Sequence, residues 1–236
     1  DHADRFAQLG HWSGWIRFDG RTVELDRAGT LGTKDRSWGI RPVGGGDPRG
    51  APPEDSGGGV FFLWAPLHWD DMASHFQLFE DRYGRPLYQV GAFMPVYETT
   101  ASLPGVEDPD VRHLRNLEHR LEFADGSRMM RAATLLMSSL DGAEQYEITL
   151  ERIFTFRMKG IGYMHPEWGH GAWKGESAMM SERWRLDDVD ETDLFNQHVQ
   201  HLVRARMGDR EGVGVLEQII LGPHDPSGFR DLLDPG

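Results

Sequence analysis

The chain has no cysteine among its 236 residues. That excludes disulfides, thiolate metal sites and cysteine nucleophiles. No apolar run approaches the roughly 18 residues that span a bilayer. The opening stretch, DHADRFAQLG, lacks the basic-then-apolar pattern of a leader peptide. G-x-S-x-G elbows, P-loops and EF-hand loops are missing, and GVGVLEQ carries only a fragment of a dinucleotide turn. Basic residues are outnumbered, 25 against 38 acidic, for a formal charge of −13. Such a balance disfavours nucleic acid and anionic membranes as partners. The acidity reads as solubility, and a cytoplasmic location is expected.

What is present is a succession of short strand patterns and turns. WSGWIRF-DG-RTVELD reads as a hairpin, because Asp19-Gly20 supplies the positive φ angles of a type I′ turn. Residues 41–59 hold seven glycines and four prolines and form a long loop. VFFLWAPLHW (60–69) reads as a buried strand, followed by ASHFQLFED and PLYQVGAFMPVYE. LEHRLEF, RMMRAATLLMSSL and QYEITLERIFTFRM form a meander joined by ADGS and DGAE. In the last of these, Tyr146, Ile148, Leu150, Ile153 and Phe154 are expected on an inner face, with an irregularity near Arg152. Leu194, Phe195, Val199, Leu202 and Val203 recur at helical spacing. They predict one short helix near 190–200, capped by Asp190 or Thr192 and ending near His198, before a hairpin over HLVRARM-GDREG-VGVLEQIILG. The sum is an all-β fold, an antiparallel barrel or sandwich.

Three groups carry candidate chemistry. In GTKDRSWGIRP, Asp35 lies between Lys34 and Arg36, with Trp38 and Arg41 following. Beside cations it is a structural acceptor, an Asp35–Arg41 clasp in an irregular corner that Trp38 plugs. In a dry pocket beside Trp38 it is a proton donor. In HPEWGHG, His165, Glu167 and His170 have metal-ligating side chains. No H-E-x-x-H helix accompanies them, so a pocket role is preferred and no metal is expected. Eight tryptophans and ten methionines suit a packed core or the walls of a cavity for a large apolar ligand. Glu217, among Val215, Leu216, Ile219 and Ile220, is an edge residue or a pocket acid.

KDRSWGIRP resembles the RDHSWG corner of lipocalin-like proteins in the AttH and carotenoid 1,2-hydratase (hydroxyneurosporene synthase) superfamily. GHWSGWIRFDGRTVELDRAGTLGTKDRSWG, GYMHPEWGHGAWKGE and GVGVLEQIILGPHDPSGF extend the likeness to an uncharacterised bacterial branch. The resemblance implies a calycin-like architecture of two lipocalin-like barrel halves, 1–100 and 101–236. It implies acid-catalysed hydration or isomerisation of a double bond in an isoprenoid or steroid-like substrate, without a cofactor. Asp35 matches the family's aspartate and would be the proton donor; Arg36 stands where the family has histidine. His165 or His170 would orient water, and Trp38, Arg41, Trp64, His68, Trp168 and Glu217 would bind substrate. The alternative is a non-catalytic binding protein for a small apolar molecule. Relatives carry a longer N-terminal part, so a missing segment or a second chain is expected to complete the barrel.

Overall fold

The computed structural model describes residues 3–39, 59–105, 108–169 and 172–234. Eight strands close into an antiparallel barrel, the all-β architecture expected. They are β5 (Val60–Trp69), β6 (Met72–Glu80), β7 (Pro86–Pro95), β8 (Arg112–Phe123), β9 (Met130–Ser139), β10 (Gln145–Arg157), β11 (His198–Met207) and β12 (Arg210–Leu221). Each pairs with the next, and β12 returns to pair with β5. The boundary at residue 100 therefore falls in the β7–β8 connection of one barrel. That barrel closes with its own strands, so the second chain or missing segment expected to complete it is not needed for closure.

Outside the barrel lies a long arm. β1 (Ala3–His11) pairs with β4 (Leu31–Gly39) through nine residue pairs. Between them β2 (Gly14–Phe18) and β3 (Arg21–Leu25) form the expected hairpin. Asp19 and Gly20 have φ of 53° and 72°, as a type I′ turn requires. The irregular corner expected at GTKDRSWGIRP is instead the regular strand β4, because β1 supplies a continuous ladder for it.

The interior is filled. Phe61, Leu63, Leu67, Phe76, Leu135 and Leu216 are each at most 2% exposed, and Phe229 plugs one end at 1%. Eight-stranded barrels are narrow enough for side chains to fill. The aromatic-lined cavity expected inside the barrel is thus replaced by packed core. Of the tryptophans only Trp64 and Trp69 are buried; Trp12, Trp15, Trp38, Trp173 and Trp184 are each at least 49% exposed.

Two local expectations are corrected. The bulge in β10 falls between Arg152 and Phe154, near where it was expected. Ile153 lies outward by the alternation that turns Ile148 and Leu150 in, and the extra residue keeps Phe154 on the outer side as well; they are 52% and 48% exposed. The short helix near 190–200 is a single 3-10 turn, Leu194–Asn196, capped by neither Asp190 nor Thr192. β11 begins at His198, and its period of two buries Val199, Val203 and Ala205 while Leu202 points out. Among the described residues no helix is long and apolar enough to cross a membrane.

The β12–β5 seam depends on close backbone approach. A Cβ at Gly214 would collide with the Pro66 carbonyl oxygen and come within 2.9 Å of Leu67 Cα. Gly214→Ala is expected to cost about 3 kcal/mol or more. A urea midpoint unchanged from that of the parent protein would contradict this reading of the seam.

Candidate binding cleft on the outer wall of the barrel

Alternation along β5 sends Leu63, Ala65 and Leu67 inward and Phe62, Trp64, Pro66 and His68 outward. The outer wall is unusually buried and polar for a barrel exterior. Trp64 is 7% exposed and donates from Nε1 to His75 Nε2 at 2.7 Å. That bond fixes the His75 tautomer with its proton on Nδ1. Burial, with a smaller contribution from Arg5, pushes the His75 pKa down to about 4. Across the seam Glu217 pairs with Trp64 in register. Its carboxylate accepts from His198 Nε2 at 3.0 Å and Gln200 Nε2 at 2.9 Å. His198 is 3% exposed, and its Nδ1 has no hydrogen-bond partner among the described residues. The Tyr163 ring meets it edge-on at 5.3 Å.

The β1–β4 arm approaches this wall. Arg5 is near enough to bias His75, and His68 is hydrogen-bonded to the Gly32 backbone. Burial and the neighbouring His11 lower the His68 pKa, partly offset by that bond. Between arm and wall is a cleft of about 540 Å³, lined by Leu31 and His11 of the arm and by His68, Val96, Ile153 and Val213 of the barrel side. Arg204 and Glu211 also border it. This volume lies within the usual range of small-molecule sites.

The expected site residues fall into separate places. Trp64, His68 and Glu217 share the outer wall. Asp35 lies on β4, exposed, with Arg5 Nε 3.5 Å from its carboxylate. Trp38, on the same strand, is 49% exposed and meets Phe6 edge-on, so it does not plug a core. His165 folds its own loop: Nδ1 accepts from the backbone N–H groups of Glu167 and Trp168, each at 3.1 Å. Its Nε2 lies 3.3 Å from Glu182. Trp168 donates from Nε1 to Met180 Sδ. Arg41 and His170 lie outside the described residues. Among the described residues no three His, Asp or Glu side chains converge as a metal site. Sequence reasoning missed His75 and His198. Their signal was period two: His75 alternates with Gln77, and His198 with Gln200, on the outward face.

The profile of a family of unknown function, DUF8625, matches residues 1–230. The chain belongs to that family. No curated protein and no solved structure matches it. The family match covers the arm and the barrel together, so both sides of the cleft lie within one family unit.

Proposed function

We propose that this chain binds an apolar small molecule in the cleft between the β1–β4 arm and the outer barrel wall. One observation carries the reading. The barrel interior is full, while the arm leaves Phe6, Trp12, Trp15, Ile16, Phe18 and Trp38 each at least 38% exposed. A two-stranded arm is marginal alone, and exposed apolar side chains along it favour an apolar partner for this part of the protein. Leu31, Val96, Ile153 and Val213 give the cleft an apolar side. His11, His68, Asp70, Arg204 and Glu211 make up the polar part of the lining that would orient a ligand. The likeness of KDRSWG to a lipocalin-like superfamily of apolar-substrate proteins agrees with this choice.

Binding is favoured over alkene protonation. A proton donor to an isolated double bond needs a dry, apolar surround. Asp35 is exposed beside Arg5.

Native mass spectrometry of the purified protein, followed by denaturing extraction, tests the proposal. A stoichiometric apolar adduct is expected, and Ile153→Glu should release it without unfolding the barrel, since Ile153 is already 52% exposed. An adduct that survives Ile153→Glu places the ligand elsewhere. A native mass of two chains without adduct assigns the exposed arm to self-association instead.

A further inference from the structure

A second opening lies on the other side of the barrel and is independent of the outer-wall cleft. β7 and β8 pair only through Gly91–Leu114, Ala92–His113 and Phe93–Arg112. Beyond these the wall parts. β8 is bulged between Arg115 and Glu118, and Asn116 has φ of 52°. The Gln89 side chain partly replaces the missing ladder, donating to Leu117 O at 3.2 Å and accepting from Leu117 N at 3.4 Å. The gap is a cleft of about 780 Å³.

Inside it stands a buried carboxylate. Glu80 is 8% exposed and lines the cleft. His119 Nε2 and His224 Nε2 lie 3.0 and 3.1 Å from its Oε2. A carboxylate only accepts, so both rings donate N–H to that one oxygen. Phe61 stacks on both rings, with centroids 4.9 and 4.0 Å away, and holds them in place. His224 Nδ1 is engaged by Ser227 Oγ at 2.8 Å. His119 Nδ1 is buried with no hydrogen-bond partner among the described residues. Oε1 of Glu80 takes no hydrogen bond among the described residues. Burial works to raise the Glu80 pKa, but the two histidine bonds outweigh it and hold the group below its ordinary value.

The rest of the lining sets the sign of the ligand. Glu118 and Glu147 stand with Glu80, and neither lysine nor arginine is part of the lining. Arg112 meets the lining at Tyr146, donating to its hydroxyl, which in turn donates to Glu144, and lying over its ring. We propose that the β7–β8 cleft is a binding site for a small organic ammonium, whose N–H donates to Glu80 Oε1 while Glu118 and Glu147 attract its charge. Such a ligand would donate to the carboxylate oxygen that the two histidines leave open to the cleft, and a charge-assisted bond there is stronger than a neutral one.

n-Butylammonium chloride is the probe, titrated while the histidine ring resonances are followed by NMR. The His119 and His224 signals are expected to shift saturably, with no such change in sodium chloride of equal ionic strength. Glu80→Gln should weaken binding by about tenfold or more, the value of one charge-assisted hydrogen bond. If that variant fails to fold, Glu118→Lys with Glu147→Lys, both exposed, reports instead and should also weaken binding. A response that is linear, that sodium chloride reproduces, or that butanol matches overturns the proposal. So does unchanged affinity in the charge-reversed rim.

Discussion

Acidification from pH 7 to pH 4 is expected to strip roughly 2–3 kcal/mol of stability for each of two histidines. His75 and His201 are 8% and 0% exposed, and burial pushes each pKa from 6.5 to about 4. His75 accepts from Trp64 on the outer wall. His201 lies between Thr155 Oγ1 at 3.0 Å and Gln218 Oε1 at 3.2 Å. Among the described residues neither ring hydrogen-bonds a carboxylate, and the pull of the nearby Glu191 on His201 is smaller than the effect of burial. The unfolded chain takes up these protons near pH 6.5, and the folded chain only near pH 4. Between those values the unfolded state holds more protons, so stability falls as pH falls; above the window these two groups contribute no slope. Glu80 acts lower down. Its depressed pKa adds stability that is lost as pH drops below the ordinary carboxylate range. Urea unfolding at half-unit pH steps reads the effect, and His75→Phe should remove about half of the slope. A flat profile from pH 6.5 to 4 would mean that both histidines are hydrated or paired with acids.

Arg128→Met is expected to cost about 3–5 kcal/mol, the penalty for breaking a buried charge network from one side. Arg128 is 4% exposed. It donates to Gly222 O and Asp231 O at 2.8 Å each, to Asp234 O, and to the Asp234 carboxylate. Its guanidinium also lies 4.2 Å over the Phe229 ring. One side chain from the β8–β9 turn thus pins the segment after β12 across the barrel end. Methionine retains the stem but leaves three carbonyls and a carboxylate without their donor. Arg128→Lys should recover only part of the loss, since an ammonium cannot fork to four acceptors. Hydrogen exchange would then show residues 222–234 opening ahead of the barrel strands. A loss below about 1 kcal/mol with that segment still protected would refute the clasp.

Turns were the most legible part of the sequence. Asp19-Gly20 and the DG of DGAE mark hairpins because few residues adopt positive φ, and the structure has Gly20 and Gly142 at 72° and 80°. β5 was equally plain, a run of ten residues with no polar break until His68. What the sequence hid was pairing at a distance. β1 and β4 are separated by a hairpin, and nothing local says that they pair with each other outside the barrel. The tryptophan count does not report side, and most of the tryptophans proved to lie on the arm and the 168–184 loop. Phe154 was misplaced by a single inserted residue, and Ile153 by setting that irregularity one residue too early. The convergence of His119 and His224 on Glu80 joins three segments and depends on barrel register, so no motif announces it. Trp64, His68 and Glu217 were found as chemistry-bearing residues on strand-like runs; that they share one wall is a consequence of the β12–β5 ladder.

The most direct test of the account is the affinity of N-phenyl-1-naphthylamine, an uncharged apolar fluorophore, for the parent protein and for Ile153→Glu and Leu31→Glu. These two side chains line opposite sides of the outer-wall cleft. Saturable binding to the parent protein, weakened about tenfold or more by either charge, is the result predicted. Equal affinity in all three proteins, with folding intact, would contradict the placement of an apolar ligand between the arm and the barrel.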